Sequence, residues 1–254
     1  MRIARFAKGD GVACGVVEGA DDGSATIAEL HGHPFGVSPG GVRLTGHTYP
    51  LVEVRLLAPV LPSKVVAAAP QGDSSEPVLF LKLSTAVTGP GDAIKHPVKL
   101  TDSISCSGVL AVIIGRLCYQ VPRERADDVI FGYSCANDIT APDLLAVDGQ
   151  WTRAKGFDTF CPLGPWMETG LASAELGVTT AVNGTARTVT STSQLRWDVP
   201  GLIAYVSQVM TLLPGDVLLA GTAADIAPPL NAGDAVSVTI DSIGTLTNRV
   251  IIAD

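Results

Sequence analysis

The sequence contains few aromatic and few charged residues, which account for 5% and 17% of its 254 positions. With 27 glycines and 17 prolines, this composition favours short strands joined by many turns over a helical bundle. No apolar run approaches the roughly 18 residues needed to span a membrane. The opening residues, MRIARFAKGDGVACG, lack the continuous apolar core of a signal peptide. We therefore expect a cytoplasmic protein with no membrane partner.

Two further shortages narrow the possible functions. Basic residues number 17 against 25 acidic ones, and the formal net charge of -8 repels a phosphate backbone, so nucleic acid is not an expected partner. The five cysteines are odd in number and form no Cys-x-x-Cys motif, which predicts buried free thiols in a reducing cytosol. His31 and His33 have no cysteine or carboxylate at ligand spacing, so we interpret them as part of a polar turn.

Apolar runs divide the chain into a small β-rich domain over residues 1–62 and a main domain over residues 63–254. In the first domain, short runs such as GVACGVVEG alternate with Gly, Asp and Pro, as in a set of short strands. In the second, SCSGVLAVIIGRLCYQVP is too continuously apolar for a half-exposed strand. It predicts a central strand, covered on both faces.

Two local signals in the last third of the chain predict a hairpin and a helix. Asn183-Gly184 between two β-type runs indicates a type I′ turn. Asp198 as N-cap, with Pro200 in the first turn, begins a helix that Pro214-Gly215 should end. Its predicted apolar face is spaced for core packing and consists of Leu202, Ile203, Val206, Val209, Met210 and Leu213.

The most informative stretch runs from Phe131 to Trp166 and reads FGYSCANDITAPDLLAVDGQWTRAKGFDTFCPLGPW. Its second half resembles the signature of the fumarylacetoacetate hydrolase superfamily, in particular the branch of 2-hydroxyhepta-2,4-diene-1,7-dioate isomerases and acylpyruvate hydrolases. The resemblance implies a mainly β, α+β fold of the mixed β-roll type and a homodimer. It also implies a metal-dependent hydrolase, decarboxylase or isomerase that uses Mg²⁺ or Mn²⁺ on a small 2-oxo acid.

Five residues match functional positions of that superfamily. The resemblance implies that Asp138, in ANDIT, is a metal ligand and that Lys155 is a catalytic residue beside the metal. It implies that Lys82, Gln150 and Thr222 bind the substrate. The residues taken alone allow plainer interpretations: Lys82 could extend along the surface from an apolar strand, and Lys155 and Asp138 could neutralise each other in a partly buried pocket.

Other functional positions of the superfamily are changed in this sequence. Its Glu-x-Glu metal ligands correspond to Ser107-Gly108-Val109, so one aspartate is left where a hard dication needs several charged oxygens. The interval AAAPQGDSSEP has neither the histidine nor the tyrosine of the superfamily's lid. Pro142 stands where an arginine grips the substrate carboxylate, and Asp225 stands where a C-terminal loop has glycine.

Two hypotheses about function follow. The first is a catalytically silent member that is kept as a dimeric scaffold or as a weak binder of a small acid, or that is drifting without function. The second is an active Mg²⁺- or Mn²⁺-dependent isomerase, hydrolase or decarboxylase of 2-oxo acids that uses replacement ligands. The missing ligands, lid histidine and arginine favour the first hypothesis.

Overall fold

A computed structural model describes residues 1–9, 11–19, 23–35, 41–69, 75–221 and 228–253, and within them the chain consists mainly of strands. The strands in chain order are β1 (Arg2–Lys8), β2 (Gly11–Glu18), β3 (Thr26–Leu30), β4 (Leu44–Pro50), β5 (Arg55–Leu57), β6 (Val65–Ala69), β7 (Val78–Lys82), β8 (Val87–Thr88), β9 (Ala93–His96), β10 (Ile104–Ser105), β11 (Gly108–Ile114), β12 (Ile130–Asn137), β13 (Cys161–Glu168), β14 (Gly177–Val182), β15 (Thr185–Ser191), β16 (Val217–Leu219), β17 (Pro229–Leu230), β18 (Ala235–Ile240) and β19 (Gly244–Ile252). The α-helices are α1 (Pro142–Asp148), α2 (Thr152–Lys155) and α3 (Val199–Val209), and 3-10 helices span Leu51–Glu53, Ser84–Ala86, Arg123–Val129 and Thr192–Gln194. The predicted mainly β, α+β fold class is confirmed.

The strands form one large mixed sheet and two smaller ones. The large sheet has the order β4-β3-β2-β1-β13-β12-β11-β16-β6-β7, with β5 paired to β1 and β8 to β13. The second sheet has the order β15-β14-β18-β19-β9, and β10 pairs with β17. Because β1 is antiparallel to β13, the N-terminal strands continue the large sheet. The domain boundary near residue 62 stays a prediction.

Strand β11 lies at the centre of the core, as its continuous apolar sequence predicts. All seven of its residues are buried. Leu110, Val112 and Ile114 pack in one apolar cluster with residues of the five-stranded sheet and α3. Val109 and the next alternate residues pack on the opposite face in a second cluster, with residues of the N-terminal strands and of β6 and β7. Burial on both faces explains why the strand has no polar alternation.

The predicted hairpin and helix start are confirmed, but the predicted helix end is wrong. Asn183 and Gly184 have φ angles of 53° and 76°, the left-handed values that a type I′ turn requires at both positions. The Asp198 side chain accepts a hydrogen bond from the Gly201 N–H and caps α3. The helix ends at Val209, short of Pro214-Gly215.

The predicted apolar face of α3 is also too long. Val209 and Leu213 are 58% and 42% exposed, whereas Met210 between them packs against the core. All five cysteines are buried free thiols, as expected. None of the helices in the described ranges has the length and apolar content that crossing a bilayer demands.

Candidate functional site

A charged cluster lies where β7, β12 and α2 meet. Along β7 alternate side chains point inward, which places Phe80 and Lys82 on the buried side. Asp138 directly follows β12, and Lys155 is the last residue of α2. Lys155 and Asp138 are both buried, at 6% and 9% exposure. The structure therefore brings together three of the residues singled out in the sequence, Lys82, Asp138 and Lys155.

The register of β11 and β12 places the altered ligand positions beside Asp138. The backbone N–H of Asp138 donates to the backbone carbonyl oxygen of Ser107 at 2.8 Å. The backbone N–H of Ser107 donates to the carbonyl oxygen of Asp138 at 3.2 Å. Val109 pairs with Ala136, the next alternate residue. Side chains of directly opposed residues share a face. One face of the sheet is therefore lined by Ser107, Val109 and Asp138. On this face the hydroxyl group of Ser107 and the isopropyl group of Val109 stand where the superfamily has two glutamate carboxylates.

The glycine between these two positions is required by packing on the other face of the sheet. A Cβ atom on Gly108 would lie 2.4 Å from Thr180 Oγ1 and 2.9 Å from a methyl carbon of Val238. The Gly108 N–H also donates to the Thr180 hydroxyl at 3.1 Å. This local fit fixes the strand against the five-stranded sheet, whichever side chains occupy positions 107 and 109.

Lys82 is enclosed by backbone carbonyls and by Asp138. Its Nζ donates to the carbonyl oxygens of Ile139 at 2.8 Å, Phe160 at 2.7 Å and Lys155 at 3.2 Å. It also lies 2.8 Å from Asp138 Oδ1, and its side chain has no exposed surface. An ammonium has three protons, and all three are used by the carbonyls, so the contact with Oδ1 is electrostatic. The surface-residue interpretation of Lys82 is wrong.

Lys155 reaches the same carboxylate from the other side. Its Nζ donates to Asp138 Oδ2 at 2.6 Å. The ammonium also lies 4.8 Å from the ring centroid of Phe80 and 5.6 Å from that of Trp151, within cation–π distance. These two rings have centroids 4.7 Å apart. Lys155 therefore sits between one carboxylate oxygen and an aromatic wall.

Burial and charge act in opposite directions on this cluster. Burial opposes ionisation of Asp138, but the ammonium groups of Lys155 and Lys82 outweigh it and hold the pKa of this carboxyl below its usual value. Burial lowers the pKa of Lys155. The negative charge of Asp138 raises this pKa, and the positive charge of Lys82 lowers it further, so that it stays below its usual value. Two ammonium groups on one carboxylate leave one net positive charge in the cluster.

The described residues do not fit a hard divalent cation. They include no group of three His, Cys, Asp or Glu side chains that could hold a metal ion. The oxygens of the one carboxylate at the site are both contacted by ammonium nitrogens, at 2.8 and 2.6 Å. Val109 is 2% exposed and presents an apolar side chain on the same face. Mg²⁺ and Mn²⁺ prefer several oxygen ligands with negative charge, and this donor set lacks them.

Gln150 and Pro142 lie outside this cluster. Gln150 is exposed in the turn before α2, and its side-chain oxygen accepts from the Thr152 N–H at 2.8 Å. Pro142 is exposed in the first turn of α1. Thr222 and Asp225 lie outside the described residues, as do residues 70–74 of the predicted lid interval.

His96 and Cys161 both have structural environments. His96 ends β9, is 8% exposed and contacts the backbone oxygen of Thr101 at 3.1 Å through Nε2. Burial raises the pKa of the Cys161 thiol to about 12. A thiol in that state is a poor nucleophile, which agrees with the prediction of buried free thiols.

Neither the aromatic wall nor the three carbonyls around Lys82 could be predicted from local sequence. Trp151 is half-buried and its ring faces Lys155. The alternation within VLFLK could have placed Phe80 and Lys82 on one face. The three carbonyls come from residues 57 to 78 positions away, which no local pattern could indicate.

The fold and site together define a strand-rich α+β protein with a buried charged cluster where its central strands end. The chain belongs to the fumarylacetoacetate hydrolase family. The family's C-terminal model, described as fumarylacetoacetate (FAA) hydrolase C-terminal, matches residues 58–251. A second model, Rv2993c-like N-terminal, matches residues 1–59.

Curated relatives cover most of the chain. Protein Rv2993c of Mycobacterium tuberculosis is 44% identical, over 99% of this chain and 98% of its own length. Oxaloacetate tautomerase YisK of Bacillus subtilis is 37% identical, over 80% of this chain and 75% of its own.

Solved structures agree over the whole chain. A 5-carboxymethyl-2-hydroxymuconate delta-isomerase from Mycobacterium smegmatis has a TM-score of 0.93 and 46% identity, covering 100% of both chains. Maleylpyruvate hydrolase from Sphingobium, in complex with a manganese(II) ion and pyruvate, has a TM-score of 0.80 and 31% identity, again over 100% of both chains. Family members thus include a hydrolase that binds a divalent metal.

Proposed function

We propose that this protein binds a small 2-oxo acid without a metal ion and has lost the metal-dependent turnover of its active relatives. One observation carries the proposal: the single carboxylate of the site, Asp138, is held by the ammonium groups of both Lys82 and Lys155. In this arrangement an ammonium group contacts each of the two carboxylate oxygens that a dication would need as ligands.

The net charge of the cluster decides between a cation and an anion. At about 4 Å and an effective dielectric of about 20, one pair of unit charges interacts by about 4 kcal/mol. A dication at that distance from a net charge of one meets about 8 kcal/mol of repulsion, before any cost of removing its water. A carboxylate at the same distance gains about 4 kcal/mol. The sign of the field therefore favours an organic anion.

The cluster is partly open to solvent and offers groups that suit a small 2-oxo acid. The side chains of Asp138 and Lys155 keep 12% and 8% of their surface exposed, whereas Lys82 keeps none, so a ligand can reach Asp138 and Lys155 but not Lys82. The rings of Phe80 and Trp151 provide an apolar wall beside the charge. The pyruvate in the Sphingobium complex and the name oxaloacetate tautomerase support this ligand class for the family.

The first test is calorimetric titration of the metal-free protein with Mg²⁺ and Mn²⁺, together with turnover assays on oxaloacetate and an acylpyruvate. We expect no metal affinity in the micromolar range and no metal-dependent turnover, because the cluster carries a net positive charge. Micromolar affinity or metal-dependent turnover would instead establish the active alternative with replacement ligands.

The second test measures binding of the acid itself. Pyruvate and oxaloacetate in excess EDTA should raise the melting temperature, since a ligand that binds only the folded state stabilises it. Lys155→Met should remove this shift, because it removes the surplus charge. Lys95→Met, at an exposed lysine of β9, is the matched control and should retain it. Equal shifts in all three proteins would assign the effect to nonspecific ions.

A further inference from the structure

The two lysines at Asp138 differ in how their protons are used. Lys82 directs its three N–H bonds at three backbone carbonyls and is fully enclosed. Lys155 donates a hydrogen bond from Nζ to Asp138 Oδ2, and the same nitrogen lies beside the rings of Phe80 and Trp151. A lysine placed in this way offers a lone pair once it has lost a proton, whereas the nitrogen of Lys82 is enclosed by three carbonyl oxygens.

The charges of the cluster lead to the same distinction. Lys82 stays 2.8 Å from Asp138 Oδ1, so this ammonium alone balances the carboxylate. The charge of Lys155 is therefore surplus to the pairing. The side chain of Lys155 is also 8% exposed, whereas that of Lys82 has no exposed surface. Lysines that form imines with carbonyl compounds are activated by an apolar pocket or by a neighbouring cation, and both surround Lys155.

We propose that Lys155 forms a covalent imine with the C2 carbonyl of a small 2-oxo acid, and that this imine, once protonated, takes over the electron-withdrawing role of the metal ion that the site does not fit. This inference rests on the proposed function, because it requires the acid to bind beside Lys155 without a metal. It assigns to Lys155 a nucleophilic role rather than one of charge pairing alone.

The step balances without any further reagent. The uncharged Lys155 Nζ attacks C2, a C–N bond forms and the π bond of the carbonyl breaks. The nitrogen then gives up its two protons and the former carbonyl oxygen leaves as water, with the C=N bond in its place. Asp138 Oδ2, 2.6 Å from Nζ, is placed to accept a proton from nitrogen and pass it towards the departing oxygen. Nothing is oxidised or reduced.

The experiment is reductive trapping followed by mass spectrometry. The full-length protein is incubated in EDTA with pyruvate and sodium cyanoborohydride, which reduces an imine to a stable amine. We expect one adduct per chain, with the mass of pyruvate less one oxygen atom, on Lys155 among the chain's six lysines. Lys155→Arg, which keeps the charge and removes the primary amine, should lose at least about 90% of the adduct.

The matched control is Lys64→Arg, because Lys64 also pairs with a buried carboxylate, that of Asp216, and its Nζ contacts Ser63 and Asp216 rather than Asp138. It should trap pyruvate like the wild type. Cooperative melting of each variant excludes unfolding, and Lys155→Met replaces Lys155→Arg if the arginine does not fold.

Each other outcome overturns the inference in a recognisable way. Adducts spread over the exposed lysines, and unchanged in Lys155→Arg, would show nonspecific amine chemistry. A pyruvate-induced rise in melting temperature in EDTA without any adduct would reject the imine and leave the binding function standing. Neither adduct nor rise in melting temperature would reject both.

Discussion

Lys82→Met should lower the free energy of unfolding by about 3–5 kcal/mol, the usual cost of removing one partner from a buried ion pair. The methionine fills a similar volume, so the loss comes from polar groups rather than from a cavity. Three carbonyl oxygens lose their donor, and Asp138 is left with Lys155 alone. Chemical denaturation followed by circular dichroism, with Lys95→Met as the exposed control, measures the difference.

The control should change stability by no more than about 0.5 kcal/mol, as surface substitutions usually do. The double variant Lys82→Met with Asp138→Asn completes a thermodynamic cycle. Because the two groups are in contact, their losses should not be additive. A cost for Lys82→Met below about 1 kcal/mol would contradict the view that this lysine holds the cluster together.

Ser107→Glu combined with Val109→Glu should raise Mn²⁺ affinity by at least about 100-fold, which is about 2.7 kcal/mol. Both positions share the face of Asp138, so the two added carboxylates change the net charge of the cluster from positive to negative. A dication is then attracted instead of repelled. Calorimetric titration of wild-type and variant proteins measures the gain, and each single glutamate should give a smaller one.

Two controls separate ligation from bulk charge. Thr185→Glu with Val189→Glu adds the same charge at two exposed positions of β15 and should leave Mn²⁺ affinity unchanged. Adding Asp138→Asn to the restored pair should remove most of the gain, because it removes the remaining native ligand. If the restored protein melts cooperatively yet gains no affinity, the shape of the pocket and not its charge excludes the ion.

Local chemistry made several elements predictable. The left-handed Asn183-Gly184 turn and the cap at Asp198 depend on a few adjacent residues, and both are present. The unbroken apolar sequence of β11 predicted burial on both faces. The extent of α3 was less predictable, because the exposure of Val209 and Leu213 depends on what packs against them. The homodimer expected from the resemblance stays a prediction.

The candidate site was predictable in its residue types and much less so in its arrangement. The long signature around Asp138 and Lys155 identified the family, and the substitutions at Ser107 and Val109 showed that carboxylate ligands were missing. The sequence left Lys82 open between a surface and a site position, since an apolar strand ending in lysine occurs in both. Only the fold shows that its ammonium is enclosed.

By itself the sequence determined the family, the strand-rich fold and the loss of two negative charges, because these depend on residue identity and on short-range pattern. The tertiary structure decided where the remaining charges lie. It places Lys82 at one carboxylate oxygen of Asp138 and Lys155 at the other. Lys155 and Asp138 keep part of their side chains exposed, whereas Lys82 is fully enclosed. That arrangement depends on strands and carbonyls distant in the chain, and the distances between charges fix the sign of the field that a ligand meets.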